Sequence, residues 1–470
     1  MGKWIRRLRS RECACTLWVA LCFALTSAMY LSWLSRLMIL SDGATPDWLS
    51  MVAGYLFQAA GMGLVSLWLR RHPDTPPGWA FAGTLALFAV ICAPTLLTDT
   101  LLGAAVFGML MNLLCGIIAG FYLSVIALNA SVNRRSLIFG GGYAAATIMV
   151  GLLSLTGGEL MHQPGALLIY MPLALLLIPL TKRLGILEAR EEAPAAPDPA
   201  QKPSPLLLAC GVALLLSAVK DLGFVFPSAD IAAGVVPELS RLPYALGLAV
   251  AGCINDRNRK NGMICTIAAL IIPFIMLGLT SEPVPATICW GLDYLFYGFF
   301  SVFRVVLFID ISRNLRRKEL APLGLLMGRL GDAAGTTISL LLTGHKIALI
   351  ATTALAFFPA PFLFIRLFQK LYEPEKSHQH TEQEVFEAFC LQYDLSSRER
   401  EVLRMVIDNH SNGEISDALF ISESTVKYHV RNVLQKAGCK NRVELQKKYT
   451  LALYPHLEST AQVIDRREGR

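Results

Sequence analysis

Apolar windows of about 20 residues recur through the first 368 positions of this 470-residue chain. Each window is long enough to cross a hydrocarbon core of roughly 30 Å as an α-helix. Helices are expected there because lipid offers no hydrogen-bond partners to unpaired backbone groups. We predict spans at 14–38, 49–69, 79–98, 101–129, 137–156, 165–181, 205–226, 237–254, 262–280, 285–311, 320–343 and 347–368. The expected fold is therefore all-α, with a polytopic twelve-helix membrane bundle.

Composition supports this class. Hydrophobic residues make up 54% of the chain and charged residues 16%, and the mean hydropathy is +0.50. Soluble domains usually carry about 25% charged residues. These values exclude an ordinary soluble enzyme. The 11 cysteines show no paired spacing and have no histidine at ligand distance, so we expect no metal site.

Positive charge is distributed unevenly between the two sides of the predicted bundle. The N-terminus and the even-numbered loops hold 20 Lys and Arg residues, whereas the opposite side is assigned only Arg241, near the start of the eighth span, and Lys346. Loops rich in Lys and Arg face the cytoplasm. This bias predicts that both termini are cytoplasmic, in agreement with an even number of spans. The basic start and its long apolar run predict a retained first span rather than a cleaved signal peptide.

Changes in composition divide the chain into regions. The membrane region, 1–369, separates into halves 1–181 and 205–369 around the Pro- and Ala-rich cytoplasmic loop 182–204. That loop is either a tether between two six-helix halves or simply a long connection. A cytoplasmic linker is predicted over 370–394. A four-helix soluble domain over 395–454 and a flexible tail over 455–470 follow.

The soluble region carries local signals for short helices joined by tight turns. Ser396 is placed to cap a first helix, and Ser411 with Glu414 has the spacing of a capping box. Ser422 is placed to cap a third helix, after the turn Phe420-Ile421. Two short helices joined by such a turn are the helix-turn-helix plan.

The third helix of this region has two distinct faces. At roughly 100° per residue, one face gathers the apolar residues Val426, Val430, Val433 and Ala437. The opposite face gathers Ser424, Lys427, Tyr428, Arg431 and Gln435. A plain surface helix would show the same stripe, but the preceding caps and turn favour a helix inserted into a DNA major groove.

These motifs resemble the LuxR/NarL-type helix-turn-helix over about 60 residues. The matching positions are Leu395, Arg398, Glu399, Val402, Leu403, Glu414, Ile415, Ile421, Ser422, Thr425, Val426, Lys427, His429, Asn432 and Arg442. The resemblance implies base-facing side chains at Lys427, Tyr428 and Arg431. It implies phosphate contacts at Thr425, His429, Lys440 and Arg442. It also implies double-stranded promoter DNA as partner, and pairing of two domains through a fourth helix at about 442–450.

One loop of the membrane region also resembles a known family. GCINDRNRKNG lies between spans eight and nine, and Gly252, Asp256, Arg257 and Lys260 in it are similar to the loop motif of major facilitator superfamily transporters. In that family the motif latches adjacent helices. The corresponding loop after span two, SLWLRRHPD, has Ser66 and Arg70 at the positions of the Gly and Asp.

Ionisable residues inside spans are costly and often functional. They lie in the second half, at Lys220, Asp221, Asp293, Arg304, Asp310, Arg329 and Asp332. Arg329 and Asp332 share a helix face and can pair. Either these charges only hold the bundle together, or Asp293, Arg304 and Arg329 line a central cavity for a polar small molecule.

Two functions fit these features. The first is a regulator in the bacterial cytoplasmic membrane that senses a small molecule in its lipid-embedded bundle and binds promoter DNA directly. The second is an active transporter with a regulatory DNA-binding tail. The sequence offers no catalytic nucleophile paired with a general base and no phosphate-binding loop, so we expect no catalytic residues and no cofactor.

Overall fold

The computed structural model describes residues 11–41, 47–73, 77–131, 133–157, 164–187, 205–222, 237–269, 283–342, 344–372 and 382–453. Within these ranges the secondary structure consists of helices and short turns, and no strand occurs there. This confirms the all-α prediction. The chain divides into two compact units, Met1–Tyr372 and Glu373–Arg470.

The first half of the larger unit contains six α-helices. They are α1 Arg11–Leu40, α2 Gly54–Arg71, α3 Gly78–Leu97, α4 Leu101–Asn129, α5 Arg135–Gly157 and α6 Leu167–Leu184. A π-helical turn at Trp48–Ala53 leads into α2, and a 3-10 turn at Pro164–Ala166 leads into α6. Each of the six helices overlaps one of the first six predicted spans.

The second half follows the same pattern with one interruption. Its helices are α7 Leu206–Leu222, α8 Pro237–Arg257, α9 Arg259–Ala269, α10 Pro283–Asn314, α11 Leu323–Leu341, α12 Lys346–Phe357 and α13 Pro359–Tyr372. The twelfth predicted span is thus divided between α12 and α13. Pro359 explains the division, because a proline inside a helix removes a backbone hydrogen bond and clashes with the preceding turn.

Eight helical segments of the described chain are long and apolar enough to cross a membrane. They correspond to predicted spans one to six, ten and twelve. The other four spans correspond to α7, α8, α9 and α11. Two of these are short in the described residues, with 17 residues in α7 and 11 in α9.

Several helix pairs join the halves of the larger unit; α2 packs on α11, α5 packs on α8, and α10 contacts both α4 and α5. Glycine allows α5 and α8 to approach closely. A Cβ on Gly140 of α5 would collide with the carbonyl oxygen of Leu248 in α8. The backbones are therefore nearly in contact, as is common for small residues at interfaces in membranes. The space between the α2–α11 and α5–α8 pairs holds the cavity described below.

The smaller unit consists of α14 Glu382–Gln392, α15 Ser397–Ile407, α16 Asn412–Leu419, α17 Glu423–Ala437 and α18 Arg442–Leu453. Helix α14 differs from the sequence prediction, which placed a linker over 370–394 and four helices after it. Its residues Phe386, Phe389 and Cys390 are buried in the core of this unit. Apolar burial against Tyr449 of α18 explains why this segment folds as part of the unit. The predicted loop 182–204 and tail 455–470 lie largely or wholly outside the described residues.

Candidate DNA-reading face and membrane cavity

The predicted helix caps of the smaller unit are confirmed. The side chains of Ser396 and Ser411 accept hydrogen bonds from the backbone N–H groups of Glu399 and Glu414. The backbone N–H of each serine in turn donates to the carboxylate of that glutamate. The Ser422 hydroxyl accepts from the N–H of Thr425 at 3.2 Å. These caps begin α15, α16 and α17 at the residues where the sequence places them.

The turn between α16 and α17 has an unusual residue. Phe420 adopts a left-handed backbone conformation, with φ 52° and ψ 45°. Its side chain is 94% exposed. A bulky residue is seldom found in this region of backbone space, where glycine or asparagine is usual. The conformation ends α16 abruptly, and Ser422, two residues after Phe420, already caps α17.

The two faces of α17 are confirmed. Val426, Val430, Val433 and Ala437 are buried in the core of the unit. The predicted base-reading side chains lie on the exposed side, and all three are exposed: Lys427, Tyr428 and Arg431. Lys427 lies 3.6 Å from Glu423 on the same helix. Such an exposed pair contributes little stability, so the lysine remains available to another anion.

The four predicted phosphate-contacting residues occupy different environments. Lys440 is exposed, whereas Thr425 and His429 are half-buried. Arg442 is engaged within the unit, because its guanidinium donates to the carbonyl oxygen of His410 at 2.8 Å and to Oδ1 of Asn412 at 2.5 Å. Arg442 thereby ties the start of α18 to the start of α16.

The larger unit contains a cavity of about 470 Å³ between its two halves. Pockets for small molecules usually measure about 300–1,000 Å³. Of the three residues proposed from sequence, Arg304 and Arg329 line it. The side chain of Asp293 lies outside the described part of the chain.

A buried carboxylate organises the charges beside the cavity. Asp332 on α11 is fully buried and lies within 4 Å of three cations. Its Oδ1 is 3.3 Å from Nζ of Lys220 and 3.5 Å from a terminal nitrogen of Arg304, and its Oδ2 is 3.4 Å from Arg329. Lys220 also pairs with Asp221 at 2.6 Å. The predicted Arg329 and Asp332 pair is confirmed, and we name the five charged residues the Asp332 cluster.

Aromatic side chains complete the cavity wall, a feature that sequence reasoning missed. The guanidinium carbon of Arg329 lies 4.4 Å from the ring centre of Tyr55, in the opposite half. Nζ of Lys220 lies 4.5 Å from the ring centre of Tyr297 and donates to its hydroxyl at 3.1 Å. Phe23 stacks on Tyr143 with ring centres 4.1 Å apart. Cations over aromatic faces are favourable, so these rings hold the charges while presenting apolar surface to a ligand.

The loop between α8 and α9 latches the two halves. Oδ1 and Oδ2 of Asp256 accept hydrogen bonds from the backbone N–H groups of Ser136 and Leu137, at 3.0 and 2.8 Å. These groups open α5, where a helix favours negative charge. A Cβ on Gly252 would lie 2.9 Å from the carbonyl oxygen of Ser136, so glycine permits the approach.

The basic partner in this latch differs from the sequence prediction. Arg259 lies 3.3 Å from Asp256 and 3.0 Å from Asp310, whereas the side chains of Arg257 and Lys260 are exposed. Arg259 also donates to the hydroxyl of Ser136 at 2.7 Å, so its guanidinium bridges the start of α5 and both carboxylates. Arg135 of the first half also reaches Asp310, at 2.6 Å.

Comparison with known proteins identifies both folds. Residues 394–448 match the luxR family of bacterial regulatory proteins, described as GerE. Transcriptional regulatory protein DegU of Brevibacillus brevis is 50% identical over 50 residues, which are 11% of this chain and 21% of that protein. Spore germination protein GerE of Bacillus subtilis is 46% identical over 48 residues, which are 10% of this chain and 65% of that protein. The chain thus spans less than two thirds of the length of these relatives.

The larger unit resembles a solved transporter structure. The human organic anion transporter MFSD10 matches with a TM-score of 0.53 and 14% identity, covering 77% of this chain and 99% of that one. At this identity the likeness concerns the fold alone. The C-terminal region is therefore a LuxR-type helix-turn-helix domain, and the N-terminal region has a major facilitator-like helical fold.

Proposed function

We propose that this chain is a membrane-bound one-component transcriptional regulator. A small molecule binds in the cavity of the larger unit, Met1–Tyr372, which we call the membrane unit. The LuxR-type domain binds promoter DNA. The observation that carries the proposal is the presence, in one chain, of a LuxR-type domain with an exposed polar face on α17 and of a charged internal cavity. LuxR-type domains bind DNA. Buried charges in a membrane bundle are costly to insert and therefore usually mark a functional site.

The proposed location is the bacterial cytoplasmic membrane with both termini in the cytoplasm. The Lys and Arg bias of the loops supports this orientation, since it leaves the helix-turn-helix on the side where DNA lies. Reporter fusions after Lys370 test it. A cytoplasmic reporter should be active there, and activity of a periplasmic reporter at this position would refute the topology.

Binding as a dimer is part of the proposal. LuxR-type domains often bind DNA as dimers, and here α18 exposes an apolar side chain, Val443, to 73% of its full area. On a two-fold DNA site, each of two paired domains contacts one half-site. Once the first domain is bound the second binds its half-site more readily, so the pair binds more tightly than a single domain.

Occupancy of DNA by the full-length chain tests the regulator directly. Chromatin immunoprecipitation from cells carrying the tagged wild-type chain should recover a small set of promoters. Arg431→Ala should lose them while remaining in the membrane fraction. An unchanged promoter set in this variant, or no enrichment by the wild-type chain, would contradict the proposal.

A transporter with a regulatory tail is the second candidate. Its support is the fold alone, which the larger unit shares with a transporter over nearly all of that protein's length. Uptake into proteoliposomes separates the two candidates. A regulator should show no accumulation driven by an ion gradient for ligands that bind it, whereas a transporter should accumulate them.

A further inference from the structure

The charges of the Asp332 cluster do not balance. Lys220, Arg304 and Arg329 carry three positive charges, whereas Asp221 and Asp332 carry two negative charges. The described residues that line the cavity add no other charged side chain. An uncompensated charge in a low-dielectric interior is costly, and an anion entering the cavity removes that cost.

The two arginines are also short of acceptors, although a terminal nitrogen of Arg304 donates to the hydroxyl of Ser217 at 2.9 Å. Asp332 serves all three cations, and its distances to them, 3.3, 3.5 and 3.4 Å, exceed the roughly 2.7–2.9 Å of a charge-assisted hydrogen bond. In addition, Nε of Arg304 and Nε of Arg329 are buried without a hydrogen-bond partner among the described residues. The cluster can therefore accept one further carboxylate, which is an acceptor with two oxygens.

The remaining wall selects what is attached to that carboxylate. The stacked pair Phe23 and Tyr143 belongs to the first half, and Phe139 and Met62 line the same cavity. Apolar surface of this kind favours an aromatic or alkyl body. The volume of about 470 Å³ limits that body to a small molecule.

We propose that the cavity binds a small amphipathic monocarboxylate, with its carboxylate on Arg304 and Arg329 and its apolar body against the first half. This inference rests on the proposed function, because it names the ligand class of the same cavity. A ligand that contacts both halves makes different contacts when the halves change their arrangement. It therefore binds the two arrangements with different affinity and shifts the equilibrium between them. A second carboxylate would leave a negative charge unpaired.

Thermal unfolding of the full-length chain in detergent tests the ligand class without DNA. The probes are 4-phenylbutyrate, its neutral amide, 4-phenylbutylamine and acetate. Phenylacetate and 6-phenylhexanoate extend the series of acids in body length. At least one phenylalkanoate should raise the Tm, with an apparent affinity about tenfold or more above that of the amide, as expected when a charge-assisted pair is lost. Acetate and the amine should have no effect.

Variants identify the site. Arg329→Gln should abolish the preference for the acid over the amide. Arg366→Gln should retain it, because that arginine is exposed on α13 and lies over Phe362 outside the cavity. Equal shifts from acid and amide, no shift from any phenylalkanoate, or an acid preference that survives Arg329→Gln would overturn the inference.

Two further outcomes distinguish a lipid headgroup from a free acid as the ligand, and failure of this inference from failure of the proposed function. A Tm shift by phosphatidylglycerol in place of phosphatidylcholine in nanodiscs, without a shift by free acids, would assign the site to a lipid headgroup and overturn the free-acid inference. Failure of this binding test leaves promoter occupancy unaffected. Conversely, binding of the acid by a chain that occupies no promoter would refute the regulator alone.

Discussion

Tyr372, the last residue of the membrane unit, donates a hydrogen bond from its hydroxyl to Oδ2 of Asp310 at 2.7 Å. Asp310 also accepts from Arg135 of the first half and Arg259 of the second half. The residue from which the chain leaves the membrane unit is thus bonded to the ion cluster that joins the two halves. A rearrangement of the halves that changes this cluster changes the anchoring of Tyr372.

We predict that Tyr372→Phe uncouples promoter occupancy from the state of the membrane unit. The ring remains, but the hydrogen bond to the charged Asp310 is lost. Loss of such a bond typically destabilises the arrangement that contains it by about 1.5–3 kcal/mol. That corresponds to roughly tenfold or more in an equilibrium between two arrangements. A promoter reporter should lose most of its response to the inducing condition, while the amount of chain in the membrane stays constant.

Tyr170→Phe is the matched control for this substitution. Its hydroxyl is also buried and lies 2.8 Å from that of Ser32, but both residues belong to the first half, away from Asp310. The control should keep the full reporter response. If both variants respond as the wild type does, the bond between Tyr372 and Asp310 has no part in signalling.

For DNA recognition we predict that Lys427→Ala and Arg431→Ala each weaken operator binding by about 1–3 kcal/mol, the cost of losing a base-contacting side chain. Neither side chain is buried, so folding of the domain should not change. Fluorescence anisotropy with operator DNA measures the affinity. A shallower dependence on salt without loss of sequence preference would instead mark the residue as a phosphate contact.

Lys447→Ala is the control for this pair, since it removes the same charge from an exposed position on α18. It should change the affinity for operator and unrelated DNA equally. A larger loss of specificity in this variant than in Arg431→Ala would place the reading face on another helix.

The acid stability of the smaller unit should depend on Glu399. Burial opposes ionisation of this carboxyl group, but hydrogen bonds from Lys436 at 2.7 Å and from Ser396 outweigh it and lower its pKa. A group with a lowered pKa stabilises the fold above its unfolded pKa of about 4.3. That stability is lost as the pH falls through the lower folded pKa.

Glu399→Gln therefore tests the charge of this residue, because glutamine can still accept from the Ser396 N–H. At pH 7 we expect a Tm lower by roughly 4–8 °C, the shift that about 1 kcal/mol produces in a domain of this size. The difference from wild type should shrink below about pH 4. Glu401→Gln is the control, since its partner Arg398 is an exposed neighbour on the same helix. A difference that persists unchanged at low pH would exclude ionisation as the cause.

Local signals explain why much of the smaller unit is predictable from sequence. Caps such as Ser411 with Glu414 act over three residues, and the buried stripe of α17 follows from helical periodicity alone. Helix α14 was missed because the polar run before it suggests a linker and its apolar face is short. Only contact with Tyr449, far along the chain, makes that face part of a core.

The membrane site was predictable only in part. Arg329 and Asp332 lie three residues apart on one helix, so their pairing follows from spacing. Lys220 and Arg304 reach the same carboxylate from α7 and α10. Which helices meet depends on their packing in three dimensions, and no periodicity in the sequence encodes the convergence on Asp332.

Gly328 provides a test of the cavity that spares its charged residues. A Cβ at this position would collide with the guanidinium of Arg304, and the atom it meets is the far end of a flexible side chain. The arginine can therefore move without unfolding the bundle. We predict that Gly328→Ala lowers the affinity for a phenylalkanoate about tenfold or more, since the displaced guanidinium loses one charge-assisted bond to the carboxylate.

Gly63→Ala is the matched control, because its Cβ would meet only Leu326 at an ordinary 3.6 Å. Titrations followed by Tm should show weakened binding in the first variant and wild-type binding in the second. Equal affinities in both would mean that the position of Arg304 does not determine ligand binding.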